Sequence, residues 1–466
     1  MPKSRFLTAV LLVAGAALAL SACMVGPHYT APVEAPVTLS TAGAAVVSTA
    51  PSDGGWWRSF GDPVLDDLTA RGLANNNDVK VAVARIHQSR ALFTDAKLDL
   101  FPRITAFGSY TRSDEQVPGF GTNRVNVESA DLGFDARWEI DLFGRVRHGV
   151  DAARDESQAR TEDLRDVRIT VIAEIARNYL TLRGLQAQRV VAEHNAETSR
   201  RTLDLTILRR DAGRGDPVDV ESARARLNAT EARIPALDSA AVQTINRLAV
   251  LVGVRPGALD ASLTPLSTPR PPRATPLAIG DAANFLRRRP DVQAAERRLA
   301  AQTARTGEAT ADLFPRINVT GFLGLLSGNV SSLFATGAQA YAVTPAVSWP
   351  ALDLGGARAR LRAQAALGDV AHAQYDLAVL NAIEDLQNAL VAYRDRQLEL
   401  TSLAAAAGAA ERASGFAHAR YEQGSIDFLR VLDTERTALD AQDALIQAQT
   451  AANTDVVAVY NAIGGE

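Results

Sequence analysis

The chain of 466 residues repeats itself once at a nearly constant offset, and that repetition constrains the fold more than any single segment does. Leu100-Phe101-Pro102-Arg103-Ile104 returns 213 residues later as Leu313-Phe314-Pro315-Arg316-Ile317, and Asp78-Val79 returns at the same offset as Asp291-Val292. Asp141-Leu142 and Gly144 return as Asp353-Leu354 and Gly356. Gly213, Asp216, Val220 and Gly253 return as Gly424, Asp427, Val431 and Gly464. Separated blocks that hold one register mean an internal duplication of about 210 residues, far longer than a solenoid period. The fold must therefore be two copies of one plan.

Each copy has the same order: helix, β-hairpin, very long helix, tight turn, return helix. The first copy is expected over 61–253, with its hairpin at 102–140, long helix at 147–212 and return helix at 218–252. A Pro-rich connector at 254–280 prevents a continuous helix. The second copy follows over 281–466, with hairpin 315–352, long helix 356–422 and return helix 427–462. Residues 147–212 contain no proline. Val171, Ile175, Tyr179 and Leu182 run beside Ile172, Ala176 and Leu180, so this helix has two apolar stripes and needs neighbours on two sides, as in a wall of helices. At ~1.5 Å per residue it is a rod of roughly 100 Å. In the return helix Val220, Leu227, Ile234, Ala241 and Leu248 recur seven apart, with Ala223, Leu237 and Leu251 in complementary positions, which is a coiled-coil seam. Pro235 interrupts it and is expected to bend the helix.

Pro102–Tyr110, Asn123–Ile140, Pro315–Leu326 and Gln339–Leu352 alternate polar and apolar residues, with a polar loop at 111–122. The runs suit tilted membrane strands of about 9–11 residues, and Trp138 and Trp349 fall where an aromatic girdle would lie. Four strands cannot span a bilayer, because open edges leave backbone groups unsatisfied in hydrocarbon. Two chains would supply eight strands, barely hollow; three would supply twelve and a lumen. The alternative is a soluble four-stranded sheet packed on helices.

Residues 1–22 carry Lys3 and Arg5 ahead of an apolar run too short for a comfortable span of about 20 residues, the pattern of a secretory signal. The run ends in Leu20-Ser21-Ala22-Cys23, which resembles a bacterial lipobox, so the mature chain is expected to begin at a lipidated Cys23. Met24 stands where an Asp would retain such a lipoprotein in the inner membrane, which implies sorting to the outer membrane. Residues 23–60, rich at their start in Pro, Ala, Ser and Thr, are expected to be an extended lipid-anchored tether. Buried acyl chains contribute about 0.8 kcal/mol per CH₂, an anchor that needs no spanning helix.

Composition excludes several classes. Lys+Arg at 49 against Asp+Glu at 53 leaves no basic excess for nucleic acid. One cysteine forbids an internal disulfide, and with six scattered histidines (28, 87, 148, 194, 372, 418) it builds no zinc cluster. GxSxG, HExxH, GxxxxGK[ST] and GxGxxG are absent, so no enzyme is expected, no metal, and no cofactor beyond covalent lipid on Cys23. The histidines are expected to be isolated surface or packed residues, and Arg287-Arg288-Arg289 before Pro290-Asp291 a solvated helix start.

Cys23-Met24-Val25-Gly26-Pro27-His28-Tyr29, Trp56-Trp57-Arg58-Ser59-Phe60-Gly61-Asp62-Pro63, and above all Leu286-Arg287-Arg288-Arg289-Pro290-Asp291-Val292 with Phe314-Pro315-Arg316-Ile317 carry a family resemblance over essentially the mature chain. The chain resembles outer-membrane efflux lipoproteins, the exit ducts of tripartite pumps of the resistance-nodulation-division type. The resemblance implies a mixed α and β membrane protein. It would be a homotrimer whose 12-strand outer-membrane β-barrel, four strands per chain, continues into a periplasmic α-helical barrel. It also implies a passive route for drugs or other small toxic compounds, reached through a periplasmic adaptor (membrane fusion protein) from an inner-membrane resistance-nodulation-division transporter. An exit duct for type I protein secretion and a structural coiled-coil spacer are the competing readings. The turns around Gly213 and Asp216 and around Gly424 and Asp427 are the expected adaptor-docking tips. The family's resting constriction falls on Leu429 and Asp433, one helical turn apart, with Arg436 placed to neutralise that carboxylate. Glu435 stands where the family often has glutamine.

Overall fold

The computed structural model describes residues 24–32, 46–48, 50, 55–116, 124–264, 277–279 and 285–465. The expected signal sequence, Cys23, and parts of the expected tether and connector lie outside the described residues. Twelve elements organise the rest. The first repeat contains α1 (Pro63–Asn75), α2 (Asn77–Leu98), β1 (Arg103–Gln116), β2 (Arg124–Ile140), α3 (Arg145–Asp211), α4 (Pro217–Glu231) and α5 (Arg233–Leu251). The second contains α6 (Pro290–Ala311), β3 (Arg316–Ser327), β4 (Gln339–Ser348), α7 (Leu354–Glu422) and α8 (Phe428–Ala462). Among the described residues no helix is long and apolar enough to cross a membrane.

The chain divides into two compact units, one formed by residues 1–33, 84–161 and 294–377, the other by 34–83, 162–293 and 378–466. The first unit holds a four-stranded antiparallel sheet of order β1-β2-β3-β4, the two hairpins joined by β2 against β3. Strand register puts Ile104 beside Ala136, Phe134 beside Leu323, and Leu323 beside Tyr341. One face therefore carries Ile104, Leu132, Phe134, Leu323, Tyr341, Val343 and Val347, all exposed. The opposite face carries Thr105, Ser109, Asp131, Asp135, Asn318 and Thr344, with Ser109 Oγ donating to Asp131 at 2.6 Å. The period of two gathers the exposed apolar side chains on the first face, while the second mixes these polar groups with Phe107, Phe322 and Leu326.

β1 runs on to Gln116, beyond the expected start of the loop at 111. Thr111–Gln116 is polar throughout and so lacks the alternation that marks a half-buried strand. Its ladder with Arg124–Ser129 nevertheless continues, helped by Arg112–Glu128 at 3.5 Å and Arg124–Asp114 at 3.1 Å. Both hairpins end in the same lock. Trp138 Nε1 donates to the Leu100 carbonyl at 3.1 Å and Trp349 Nε1 to that of Leu313 at 3.0 Å. Arg103 pairs with Asp99 and Arg316 with Asp312, each at 2.6 Å.

The expected free tether needs correction at its start. Val25 N donates to the Phe143 carbonyl at 3.1 Å, the Val25 carbonyl lies 2.8 Å from His148 Nε2, and the Tyr29 hydroxyl donates to Glu296 at 2.7 Å. A side chain at Gly144 would collide with Met24. Met24–Pro32 is thus a strap pinned to α3 and α6, and composition alone did not distinguish pinned from free backbone.

In the second unit Ile175, Tyr179 and Leu182 on one stripe of α3, and Ile172 and Ala176 on the other, are all buried. Trp56 stacks on Tyr460 with centroids 5.2 Å apart. Asp62 caps α1 through Val64 N at 3.0 Å, and its second oxygen accepts from the buried Tyr179 hydroxyl. Arg183 Nε donates to Tyr179 Oη at 3.0 Å and Arg183 Nη1 to Gln186 at 2.7 Å, while Gln186 donates to the Leu263 carbonyl at 2.7 Å. The polar chain is partnered at each step, which is what makes it tolerable inside. The return helix expected over 218–252 is two helices, broken at Ala232. Pro235 has no N–H to offer the carbonyl four residues earlier, and α4 ends at that residue, Glu231.

The arginine run is not a solvated helix start. Arg289 is 8% exposed. It donates to Asp291 twice (3.0 and 2.6 Å), to Asp385 at 3.2 Å and to the Ala462 carbonyl at 2.9 Å. Asn76 at the matching place of the first repeat donates to the Leu251 carbonyl at 2.9 Å. Both residues tie down the end of a return helix, and only the arginine does so with a buried charge.

Candidate functional site

The two turns that reverse the long helices are built alike. Gly213 (φ 69°) and Gly424 (φ 75°) take the left-handed conformation that lets a helix stop without a Cβ penalty. Arg214 N donates to the Arg209 carbonyl and Gly213 N to that of Arg210; Ser425 N to Arg420 and Gly424 N to Tyr421 repeat the pattern, all at 2.8–2.9 Å. Asp216 then accepts from Val218 N at 2.8 Å to start α4, and Asp427 from Arg430 N at 2.9 Å to start α8. Each cap satisfies an amide that the first helical turn leaves without a partner. Asp219 is pushed up from the usual carboxylate range by burial first and then by the Asp216 and Asp427 charges, so the tips share an acidic field.

Behind the turns, Ala223, Ala417, Tyr421, Phe428 and Val431 form a buried apolar plug between the two helical pairs. Tyr421 and Phe428 meet with centroids 5.6 Å apart, and the Arg209 guanidinium lies 4.1 Å above the Tyr421 ring. Leu429 and Asp433 occupy the other side of α8, both exposed, Leu429 at 70%. Arg436 is also exposed, and its Nε lies 3.8 Å from Asp440 rather than reaching back to Asp433. Leu429 and Asp433 thus share a free face, while Arg436 belongs to a neighbouring ion pair.

Glu435, two residues beyond Asp433, faces inward and is 3% exposed. Its Oε1 accepts from Thr202 Oγ1 of α3 at 2.7 Å and lies 2.7 Å from His418 Nε2 of α7. Contact with Glu435 first, against the opposing effect of burial, raises the His418 imidazole above its ordinary value. Arg226 on α4 is half-buried and its pKa is lowered by that burial; Asp440 and Glu435 oppose the shift. The sequence reading missed this cluster although a signal existed. Phe428, Val431, Glu435 and Ala438 follow the apolar 3-4-3 spacing of a core helix, and an acid in that register must find partners. Among the described residues no group of His, Cys, Asp and Glu is arranged to hold a metal ion.

A sequence model of the family described as "Outer membrane efflux protein" matches residues 68–254 and again 283–465. The chain is 31% identical over 469 aligned residues to the outer membrane protein OprJ of Pseudomonas aeruginosa, covering 100% of this chain and 97% of that protein. The structure resembles that of the outer-membrane channel OprN with a TM-score of 0.92 and 42% identity, covering 95% of this chain and 99% of that one. It also resembles the open state of the Neisseria gonorrhoeae MtrE outer membrane channel, with a TM-score of 0.84, 27% identity, and coverage of 95% and 98%.

Proposed function

Because the chain belongs to the outer membrane efflux protein family, we propose that three copies close one 12-stranded barrel and that their paired helices continue it as a periplasmic tunnel. The protein is the outer-membrane channel of an efflux system. The observation that carries the barrel is the sheet. One of its faces is largely apolar and exposed, the other carries Thr, Ser, Asn and Asp beside Phe107 and Phe322, and its outer strands β1 and β4 have no further strand beside them among the described residues. Hydrocarbon does not tolerate such edges, and joining β4 of one copy to β1 of the next removes all of them at once. The duplication is supported by the family model matching twice, by the paired Trp locks and by the paired turns. Two similar halves in each of three chains give a nearly sixfold tunnel end for an adaptor to grip.

Cys23 carries the lipid in this reading. Its neighbour Met24 packs on Gly144, four residues past the end of β2, so an acyl chain would leave the strap beside the barrel wall. Substrate passes passively, delivered by an inner-membrane resistance-nodulation-division transporter through a periplasmic adaptor that docks at the tips around Gly213, Asp216, Gly424 and Asp427. Drugs or other small toxic compounds are the cargo. Threefold symmetry makes rings of Leu429 and Asp433, the first obstructing by apolar contact and dewetting, the second drawing cations. MtrE, which shares the fold, has a structure described as its open state, which supports reading this fold as a channel that opens.

Planar-bilayer conductance tests the aperture. Leu429→Ala with Asp433→Ala should enlarge the resting conductance several-fold and weaken cation preference. Unchanged values in a correctly trimeric variant would remove these residues from the gate, and a monomer with intact strands in detergent would sink the shared barrel.

A further inference from the structure

We propose that Glu435, His418 and Thr202 form a proton-sensitive latch that positions the first turns of α8, and with them Leu429 and Asp433, against α3 and α7. The inference rests on the proposed aperture only for its consequence; the latch itself is read from the cluster. Glu435 is buried, with Oε1 accepting from the Thr202 hydroxyl and lying 2.7 Å from His418 Nε2 as a close charge contact, while neither that ring nitrogen nor Glu435 Oε2 has a hydrogen-bond partner. A buried carboxylate so sparsely solvated depends on the positive charge of its neighbour. Glu422 on α7 acts on the His418 ring and favours the imidazolium, and Arg226 on α4 interacts with Glu435; Arg226 also feels Asp440 and Arg436 on α8 and Arg233 on α5. α3 contributes the neutral Thr202. The residue matching Glu435 in the first repeat is the exposed Arg224, so the latch exists on one return helix only.

The direction of the pH effect follows from His418. An imidazole held above its unfolded value of about 6.5 stabilises the closed arrangement fully below that pH and stops doing so as pH rises through its folded value. Above that point Glu435 faces a neutral ring and keeps only the Thr202 hydrogen bond and the Arg226 charge. The latch then loosens, and α8 is freed where Leu429 and Asp433 sit on its opposite side. His418 and Glu435 are positioning residues here: neither lines the aperture.

Hydrogen exchange of the amides of residues 428–440 in the full-length protein in detergent tests this, with intrinsic exchange rates corrected for pH. In the wild type, protection should fall on the order of tenfold between pH 6 and pH 9. His418→Gln should show low protection at both pH values, whereas His418→Arg, permanently charged, should keep protection at pH 9. Glu435→Gln should abolish the pH step while keeping the hydrogen bond from Thr202. Equal wild-type protection at the two pH values, or a full pH step surviving in His418→Arg, would overturn the latch. The conductance of Leu429→Ala with Asp433→Ala fails or succeeds independently of this exchange pattern, so loss of the aperture and loss of the latch are separable.

Discussion

The two return helices begin with the same backbone device and then diverge. After its Asp cap, the first breaks at Ala232 into α4 and α5, while the second runs unbroken for 35 residues as α8. Val218 and Leu429, 211 residues apart, are both exposed first-turn residues, at 68% and 70%, yet only the second is followed by a buried acid. At the far end Asn76 holds the first helix with a neutral amide and Arg289 holds the second with a guanidinium and two carboxylates. The two halves share the punctuation, which depends on glycine and Asp at fixed places, and differ on the faces between. A helix that swings as a rod needs an unbroken ladder and a firm far end; α8 has both.

The far end gives the sharpest way to break this contrast. Arg289→Ala removes the buried guanidinium and its bonds to Asp291, Asp385 and the Ala462 carbonyl; at about 3 kcal/mol it falls at the low end for breaking a buried pair, because Asp385 is 57% exposed. Asn76→Ala removes the bond to the Leu251 carbonyl and the two from Asp78 N and Val79 N that cap α2, for about 1–3 kcal/mol. Thermal dissociation of the trimer should rank them in that order, and Arg289→Lys should not restore the wild type because it cannot bind Asp291 with a fork. Equal effects would mean the charge adds nothing to the anchor.

Next in size is the break itself. Ile446 stands 211 residues after Pro235, so Ile446→Pro transplants the interruption into α8. It should cost about 3 kcal/mol or more. Pro235→Ile should join α4 to α5 and raise protection of the amides of residues 232–236. If Ile446→Pro leaves both stability and resting conductance unchanged, continuity of α8 has no role.

The caps come third and should be equal: Asp216→Ala and Asp427→Ala each lose about 0.5–2 kcal/mol of helix start. Guanidinium melts of the two variants should superimpose. A much larger loss at Asp427 would show that this carboxylate does more than begin a helix.

The duplicated plan, the two-sided stripes on α3 and the turns were legible in the residues because each rests on spacing along one chain. The strap, the Arg289 anchor and the Glu435 cluster were not. Tyr29 meets Glu296 across 267 residues and Glu435 meets Thr202 across 233, and no local periodicity reports a pairing made by chain return. Arg289 was misread for the same reason: three adjacent arginines resemble a solvated run until Ala462 and Asp385 arrive from far along the chain. The end of β1 was hidden differently, because a strand polar on both faces has no alternation to reveal it.

The smallest effect compares the two long helices near their middles. Asp166 on α3 corresponds, at an offset of 212, to Ala378 on α7. Burial first, and then the Asp291 carboxylate, push Asp166 up to about 6, with Arg289 pulling the other way. An acid whose folded pKa is raised binds its proton more tightly in the folded chain. It therefore favours folding at low pH, and that contribution is lost as pH rises from about 4 through 6. At pH 7 the group is a partly screened, repelled anion, so Asp166→Asn should stabilise the protein by on the order of 1 kcal/mol once solvent screening is allowed for. The difference between variant and wild type should shrink as pH falls through 6 towards 4, and thermal dissociation of the two proteins across that range measures it. Ala378→Asp, placing the acid at the matching position of α7, should not reproduce the same pH dependence. A constant difference between pH 4 and pH 7 would show that Asp166 titrates normally and that its surroundings do not resist its charge.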